Sequence, residues 1–597
     1  MKQQPQERIS SALDFRESYG TGALRGAPAG SRAGALVRRL DIALVLLILL
    51  ALALKLRLVW SLNVNWDEFL YLSYVYDYAR GSVTNPFQSF HVHLFRWLPL
   101  VSGDEIDQVI VGRSVAFAAG LGSAVLTYAI GRMFLTRAGG LFAVLCWLSL
   151  SNLVEHGTSF RVDPLAAFLF LVTVYLVLRS PRVGIPVCLA GFSLAVALVL
   201  TVKAALYVPV MGAIFLGLAR HGKDRSVLLR ALLLLAAVTT GSFAALFLLH
   251  RAVLPTAAVG EAEFLGNVAA EMIVRDRLFP RFDYFVLTVI ENPVVWGVFL
   301  VGGLVALRDS MRPRIRSPIG PTVMVAFVLS LVPLLFYRNA FPYFYVFIIS
   351  PAVVCCGLVF DKLLEDLEQT RKRRFAALIY VLVAAVAVNG GIHYRRNFSD
   401  QKEAQREVVR LVHELFPDPV HYVDCCSMVP GFPKVGFFMS TWGIARYRSV
   451  GRPLLRNLLR EGQPVFLLAN RALIDPSGSI DLSSGPYALL PEDFATLRQN
   501  FVPHWGILHL AGKQLDLDEP SYSQEFEILT GGLYTVEADR AVTIDGRPFA
   551  PGDVTVLGPG RHTIASDAVP ARITLRWGDH LGRPSGTPSK QPIFTGF

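Results

Sequence analysis

Charge is scarce in this chain. Of 597 residues, only 17% are Asp, Glu, Lys or Arg, while 53% are hydrophobic. That balance excludes an ordinary soluble protein of this length and points to a polytopic membrane protein. Cysteine is scarce too, with six residues in all. Cys146, Cys188, Cys355 and Cys356 lie inside apolar segments, where a thiol packs as a small hydrophobe. Cys425 and Cys426 are adjacent, a spacing at which a disulfide ring is strained. No zinc-type cysteine spacing occurs. No glycine-rich phosphate loop occurs either, so the usual nucleotide-binding signature is missing. Internal repeats and heptads are also missing. The net charge of +11 would suit a nucleic-acid partner. The Arg and Lys residues, however, cluster in short gaps between apolar runs, which is the pattern of topology signals and not of a nucleic-acid groove.

What the chain has in quantity is apolar runs. A helix needs roughly 20 apolar residues to cross a bilayer. Segments 38–62, 109–131, 138–156, 164–180, 183–202, 204–220, 227–250, 291–308, 320–337, 343–361 and 375–393 meet that description, which predicts about 11 transmembrane helices. The gaps on one side are basic. They hold Arg38 and Arg39; Arg132 and Arg137; Arg179 and Arg182; Arg220, Lys223 and Arg225; Arg308, Arg312, Arg314 and Arg316; and Lys362 with Arg371 to Arg374. The positive-inside rule puts these gaps and the N-terminus in the cytoplasm and the C-terminal region outside, in a multi-pass plasma (inner) membrane protein.

Residues 1–37 are polar and rich in Gly, Ala and Arg, and read as a disordered cytoplasmic tail. Residues 38–395 form the membrane part. Residues 396–520 mix helical patterns with short apolar runs such as Pro464 to Ala469, as in a small α/β domain. Residues 521–597 alternate apolar and polar side chains between turns at Asp545-Gly546, Pro551-Gly552 and Pro559-Gly560, as in a small β-sandwich. The fold class expected is therefore mostly α, with a C-terminal extracytoplasmic α/β and β region.

Asp67 and Glu68 stand out. They follow the first apolar run, and carboxylates at a bilayer edge are costly to desolvate. Asp67 suits a helix cap ahead of Phe69-Leu70-Tyr71-Leu72. It equally suits a proton acceptor or, with Glu68, a ligand of a divalent metal. The tyrosines at 71, 74, 76 and 78 belong at a membrane interface and also stack on sugars. His91 and His93, two apart, read as polar interface residues or as metal ligands. Asp163, in Arg161-Val162-Asp163-Pro164, sits where a helix dipole favours negative charge, with Pro164 in the first turn. Lys203, Arg338 and Arg57 lie near the same expected edge, as cations that snorkel or that meet a lipid phosphate.

Taken in order, these features resemble the GT-C glycosyltransferases, in particular the branch of protein O-mannosyltransferases and lipid A aminoarabinose transferases. Arg57 ends the first span and the Asp67-Glu68 pair follows. Arg161 and Asp163 open the fourth span, and Thr201 and Lys203 end the fifth. Arg338 precedes an aromatic and proline run containing Pro342, Tyr343, Tyr345 and Pro351. Val202 departs from the pattern, standing where a lysine directly after Thr201 would be expected. The resemblance covers residues 38–395.

It implies transfer of a sugar from a polyprenyl-phosphate carrier to a glycan, glycolipid or protein acceptor on the outer (periplasmic) face. Within it, Asp67 is the expected base or metal ligand, Glu68 its support and Asp163 a neighbour in the cavity. Lys203, Arg338, Arg57 and Arg161 are the expected phosphate-binding cations. The chemistry is coherent, because sugar nucleotides are cytoplasmic and an outward-facing enzyme needs a lipid-linked donor. A flippase for a lipid-linked glycan is the rival reading, though such proteins place charges at mid-membrane in broken helices. A membrane anchor for a C-terminal binding module is a third reading, for which so many spans are excessive.

Overall fold

A computed structural model describes residues 32–594 apart from 84, 102–103, 222–223, 256–271, 275–276, 313–318, 371, 399–401, 479–486, 518–522, 567–570 and 590–592. Most of the expected tail 1–37 and much of the loop 251–290 lie outside the described residues. The chain forms two compact units. One comprises residues up to 62 with 81–95 and 110–399; the other comprises 63–80, 96–109 and 400–597.

The first unit is helical. Among the described residues, eight helices are long and apolar enough to cross a membrane. Three shorter apolar helices, Arg137–Ser149, Ile185–Leu200 and Ile319–Leu335, occupy the other expected segments. Arg137–Ser149 has 13 residues, which at about 1.5 Å per residue does not reach across a bilayer. Eight of the eleven expected spans thus attain crossing length and three fall short of it. On Arg225–Ala252, Leu229, Leu233, Leu248 and Leu249 are all more than half exposed. A soluble protein would not leave such a face uncovered, whereas a bilayer solvates it.

Inside the unit, helices approach closely where side chains are absent. A Cβ on Gly139 would fall 2.9 Å from the Gly357 carbonyl, and one on Gly357 would fall 2.4 Å from the Gly139 carbonyl. Helix Arg137–Ser149 therefore packs directly on Val354–Thr370, the small-residue packing that membrane helices use. The same junction caps the shorter helix. Asp361 accepts the Thr136 amide at 2.7 Å and the Thr136 hydroxyl, so the buried helix start keeps its hydrogen bonds. Buried Arg113 does the reverse service at a helix end, donating to the carbonyls of Val59 at 3.3 Å and Leu62 at 2.7 Å.

The second unit carries the sheets. Strands β1 (Tyr422–Val423), β2 (Phe466–Leu468), β4 (Leu508–Leu517), β11 (Ala571–Trp577), β6 (Gly532–Ala538) and β9 (Val554–Leu557) lie side by side in that order, and β3 (Phe501–Trp505) also pairs with β4. A four-stranded sheet runs β5 (Ser523–Ile528), β10 (Gly560–Ala565), β7 (Val542–Ile544) and β8 (Arg547–Phe549). Leu515, Val536, Ile573 and Leu575 from the first sheet pack with Phe526, Ile528, Ile544 and Ile564 from the second. The turn between β7 and β8 is Asp545-Gly546, with φ of 51° and 77°, the paired positive values that a tight hairpin requires.

The domain boundary expected at residue 520 does not separate two folds. β4 lies before it and β11 after it, and they pair from Leu517–Ala571 to Gly512–Arg576 in one sheet. The alternation within each strand was readable, but the pairing between strands sixty residues apart was not.

Candidate active site

The sequence-predicted residues fall in both units, and each unit builds its group separately. In the helical unit, helix Val162–Arg179 starts at Arg161, whose backbone is extended (φ −140°, ψ 162°). Pro164 fits the first turn because it has no amide to satisfy there. Asp163, in the same turn, is buried. It accepts hydrogen bonds from Lys203 Nζ at 2.9 Å and Arg161 Nε at 3.2 Å. Lys203 reaches it from the 3₁₀ turn Val202–Tyr207 that follows Ile185–Leu200. Tyr343 lies beneath both cations. Its ring centre is 3.7 Å from the Arg161 guanidinium and 4.9 Å from Lys203 Nζ, within range for cation–π attraction.

An aromatic stack fixes the elements beneath this group. Tyr207 lies 3.6 Å from Phe170 and 4.0 Å from Phe347 between ring centres, and its hydroxyl donates to the Phe347 carbonyl at 2.5 Å. Two cations therefore converge on one carboxylate. Asp163 fixes the positions of both cations through these charge-assisted bonds. Both Asp163 oxygens are engaged, Oδ1 by Lys203 and Oδ2 by Arg161.

Arg57 and Arg338 do not pair with Asp163. Arg57 is exposed and stacks 4.4 Å from the Phe398 ring centre. Arg338 is half-buried. Its amide donates to the Met272 carbonyl at 2.9 Å, and its own carbonyl accepts from Arg281 Nε at 3.4 Å. Sequence reasoning passed over Arg281, whose guanidinium lies 4.4 Å from the Phe341 ring centre. It also passed over Lys55, which is buried and donates to the Leu153 carbonyl. A lysine within an apolar helix two residues before Arg57 was the available signal.

In the second unit, Asp67 and Glu68 open helix Trp66–Ala79. The cap expected of Asp67 is made by Asn65 instead. The Asn65 side chain accepts the Asp67 amide at 3.0 Å, and Glu68 Oε2 accepts the Asn65 amide at 2.9 Å, a reciprocal capping box. The cap and its glutamate, three residues apart, were visible in the sequence as Asn-Trp-Asp-Glu. Glu68 is buried by this role, while Asp67 is half-exposed. Trp66 is covered by the Arg471 guanidinium, 4.5 Å from its ring centre.

Glu68 Oε2 is engaged by the Asn65 amide. Among the described residues, no group of three or more His, Cys, Asp or Glu side chains could hold a metal ion. His91 and His93 do not form a ligand pair. His91 is buried with Nδ1 3.1 Å from the Gln88 carbonyl, and His93 Nε2 is 2.7 Å from His250 Nδ1.

Comparison with solved structures settles the fold. Oligosaccharyltransferase AglB from Archaeoglobus fulgidus, in complex with an inhibitory peptide and a dolichol-phosphate, is similar over 89% of this chain and 95% of its own, with a TM-score of 0.53 and 10% identity. The chain has the GT-C fold. The apo form of the A. fulgidus oligosaccharyltransferase matches 71% of this chain and 69% of its own, with a TM-score of 0.50 and 10% identity. ArnT from Cupriavidus metallidurans bound to undecaprenyl phosphate matches 71% of this chain and 92% of its own, with a TM-score of 0.49 and 14% identity. No protein-family model and no curated protein sequence matches the chain. The AglB likeness reaches beyond residues 38–395, so the GT-C comparison extends past the part that the sequence motifs covered.

Proposed function

We propose that this protein moves a sugar from a polyprenyl-phosphate carrier to a glycan, glycolipid or protein acceptor on the outer face of a plasma (inner) membrane. The observation that carries the reading is the Arg161–Asp163–Lys203 group. It is buried, and it gathers two cations on one carboxylate, Arg161 Nε at 3.2 Å and Lys203 Nζ at 2.9 Å from Asp163. The GT-C fold, which AglB shares in a complex containing dolichol-phosphate, supports the same reading, and the basic gaps support the orientation.

In this mechanism Asp67 accepts the acceptor hydroxyl proton as that oxygen attacks the sugar's anomeric carbon. The new oxygen–carbon bond forms as the bond from that carbon to the carrier phosphate oxygen breaks, with inversion. Lys203 and Arg161 stabilise the departing phosphate, whose charge grows in the transition state. Asp163 keeps the two cations aimed, and Glu68 holds the turn that presents Asp67. Arg57 and Arg338 bind the same carrier at headgroup level.

The test is a donor-saturation series with a labelled polyprenyl-phosphate sugar in membranes, comparing wild type with Lys203→Ala. Loss of one charge-assisted hydrogen bond is worth about 1.5–3 kcal/mol, so kcat/KM for donor falls about ten- to a hundredfold. Unchanged donor kinetics would defeat the assignment. Movement of a glycolipid across vesicles without any transfer would favour the flippase.

A further inference from the structure

The second unit contains a grip on the acidic turn that the capping box does not explain. Gln405, on helix Lys402–Leu415, is fully buried. Its Oε1 accepts the Val64 amide at 3.0 Å, and its Nε2 donates to the Val64 carbonyl at 2.8 Å and to the Ile593 carbonyl at 2.9 Å. Only one orientation of the carboxamide satisfies one amide and two carbonyls at once, so the side chain is locked. Val64 is followed directly by Asn65, whose side chain holds the Asp67 amide and whose amide is held by Glu68. The chain of bonds thus runs unbroken from Gln405 to the acidic pair.

The C-terminal segment makes the second contact. Phe594 follows Ile593 and packs edge-on against Trp66 and Phe69, with ring centres 6.1 and 6.2 Å away. These aromatics flank Asp67 and Glu68 on both sides. Arg471 covers Trp66 as well. Residues more than three hundred positions away in sequence therefore hold the turn through buried polar bonds and aromatic edges, the kind of support that fixes a reacting group in place.

We propose that Gln405 and Phe594 are positioning residues that hold Asp67 in its working geometry, so that the C-terminal region is part of the catalytic apparatus. The inference rests on Asp67 being the acceptor-activating carboxylate. Gln405 acts through the backbone at Val64, and Phe594 acts through Trp66 and Phe69. The isosteric variant Gln405→Glu is the sharpest probe. It keeps the acceptor for the Val64 amide but turns a carboxylate oxygen toward two carbonyls.

The experiment uses the full chain in nanodiscs and reads hydrogen exchange and kinetics on Gln405→Glu, Gln405→Asn and Phe594→Ala. Expected are at least tenfold faster amide exchange confined to residues 64–69, a kcat lowered at least tenfold, and a donor KM within about twofold of wild type. Gln405→Asn, whose shorter amide still presents both polar atoms, recovers part of kcat. Phe594→Ala removes only the ring contacts to Trp66 and Phe69 and keeps the test open if the Gln405 variants do not fold. Unchanged exchange at 64–69 overturns the grip, as does loss of protection across the whole β1–β11 sheet, which would make Gln405 a fold residue. Exchange is read without turnover. Faster exchange at 64–69 combined with full transfer by Asp67→Asn would sustain the grip and sink the catalytic reading, so the two failures are separable.

Discussion

Asp163 holds two cations, whereas Lys203 is one cation of two, and that difference sets unequal costs for removing them. Asp163→Asn keeps the volume but takes away the negative charge that Arg161 and Lys203 share. Their side chains are 5% and 12% exposed, and the carboxylate they lose is 1% exposed. Stripping the partner from buried charges costs about 3–5 kcal/mol. Lys203→Met removes one cation and leaves Asp163 with Arg161 at 3.2 Å. The carboxylate stays compensated, so the loss is that of a single charged hydrogen bond, about 1.5–3 kcal/mol, partly offset by the apolar replacement. Thermal unfolding of both full-length variants in one detergent should give a Tm loss for Asp163→Asn at least about twice that of Lys203→Met. Equal losses, or a larger loss for Lys203→Met, would refute the view of Asp163 as the hub of the group.

Other consequences concern the acidic turn, a histidine clasp and the helix junction. Asn65→Ala removes the cap of Trp66–Ala79 and should cost about 1 kcal/mol, read as faster amide exchange at residues 67–69 with the sheets unaffected. The hydrogen bond and negative charge of Glu105, 3.0 Å from His413, raise the His413 pKa above its ordinary value. The folded state therefore binds this proton more tightly than the unfolded chain. The stabilisation is complete below about pH 6.5 and fades as pH rises through the raised value; His413→Gln should flatten that part of the stability–pH curve. Gly139→Ala would push a methyl to 2.2 Å from Asp361 Oδ1 and 2.9 Å from the Gly357 carbonyl, so the helices must part and the Tm should fall by several degrees, while Gly212→Ala, with open space around it, should change it little.

Much of this was legible because local chemistry decided it. The apolar runs marked the helices, and the short Arg161-to-Pro164 motif marked a helix start with a carboxylate in its first turn. Lys203 could be placed near that carboxylate only through the order of the family motifs. Its pairing with Asp163 is a contact forty residues apart in sequence. The acidic turn was misread in one respect, since Asn65 and not Asp67 caps the helix. The reason is that Asn65 stands three residues before Glu68 and so completes the capping box. What the sequence could not convey was long-range partnership. Gln405 on Val64, Phe594 on Trp66 and β4 on β11 all join residues whose local patterns give no hint of one another. Lys55 and Arg113 were hidden for a different reason: each spends its charge on backbone carbonyls inside the helical unit, and no carboxylate in the sequence advertises it.

The central claim, that Asp67 activates an acceptor for transfer from a polyprenyl-phosphate sugar, is tested most directly by label transfer in membranes with wild type and Asp67→Asn at matched expression. The asparagine preserves the size of the side chain and removes the basic oxygen. The account predicts a fall in transfer of at least a hundredfold, the scale of general-base catalysis, with binding of the polyprenyl-phosphate donor retained. Transfer by Asp67→Asn equal to that of wild type would contradict it.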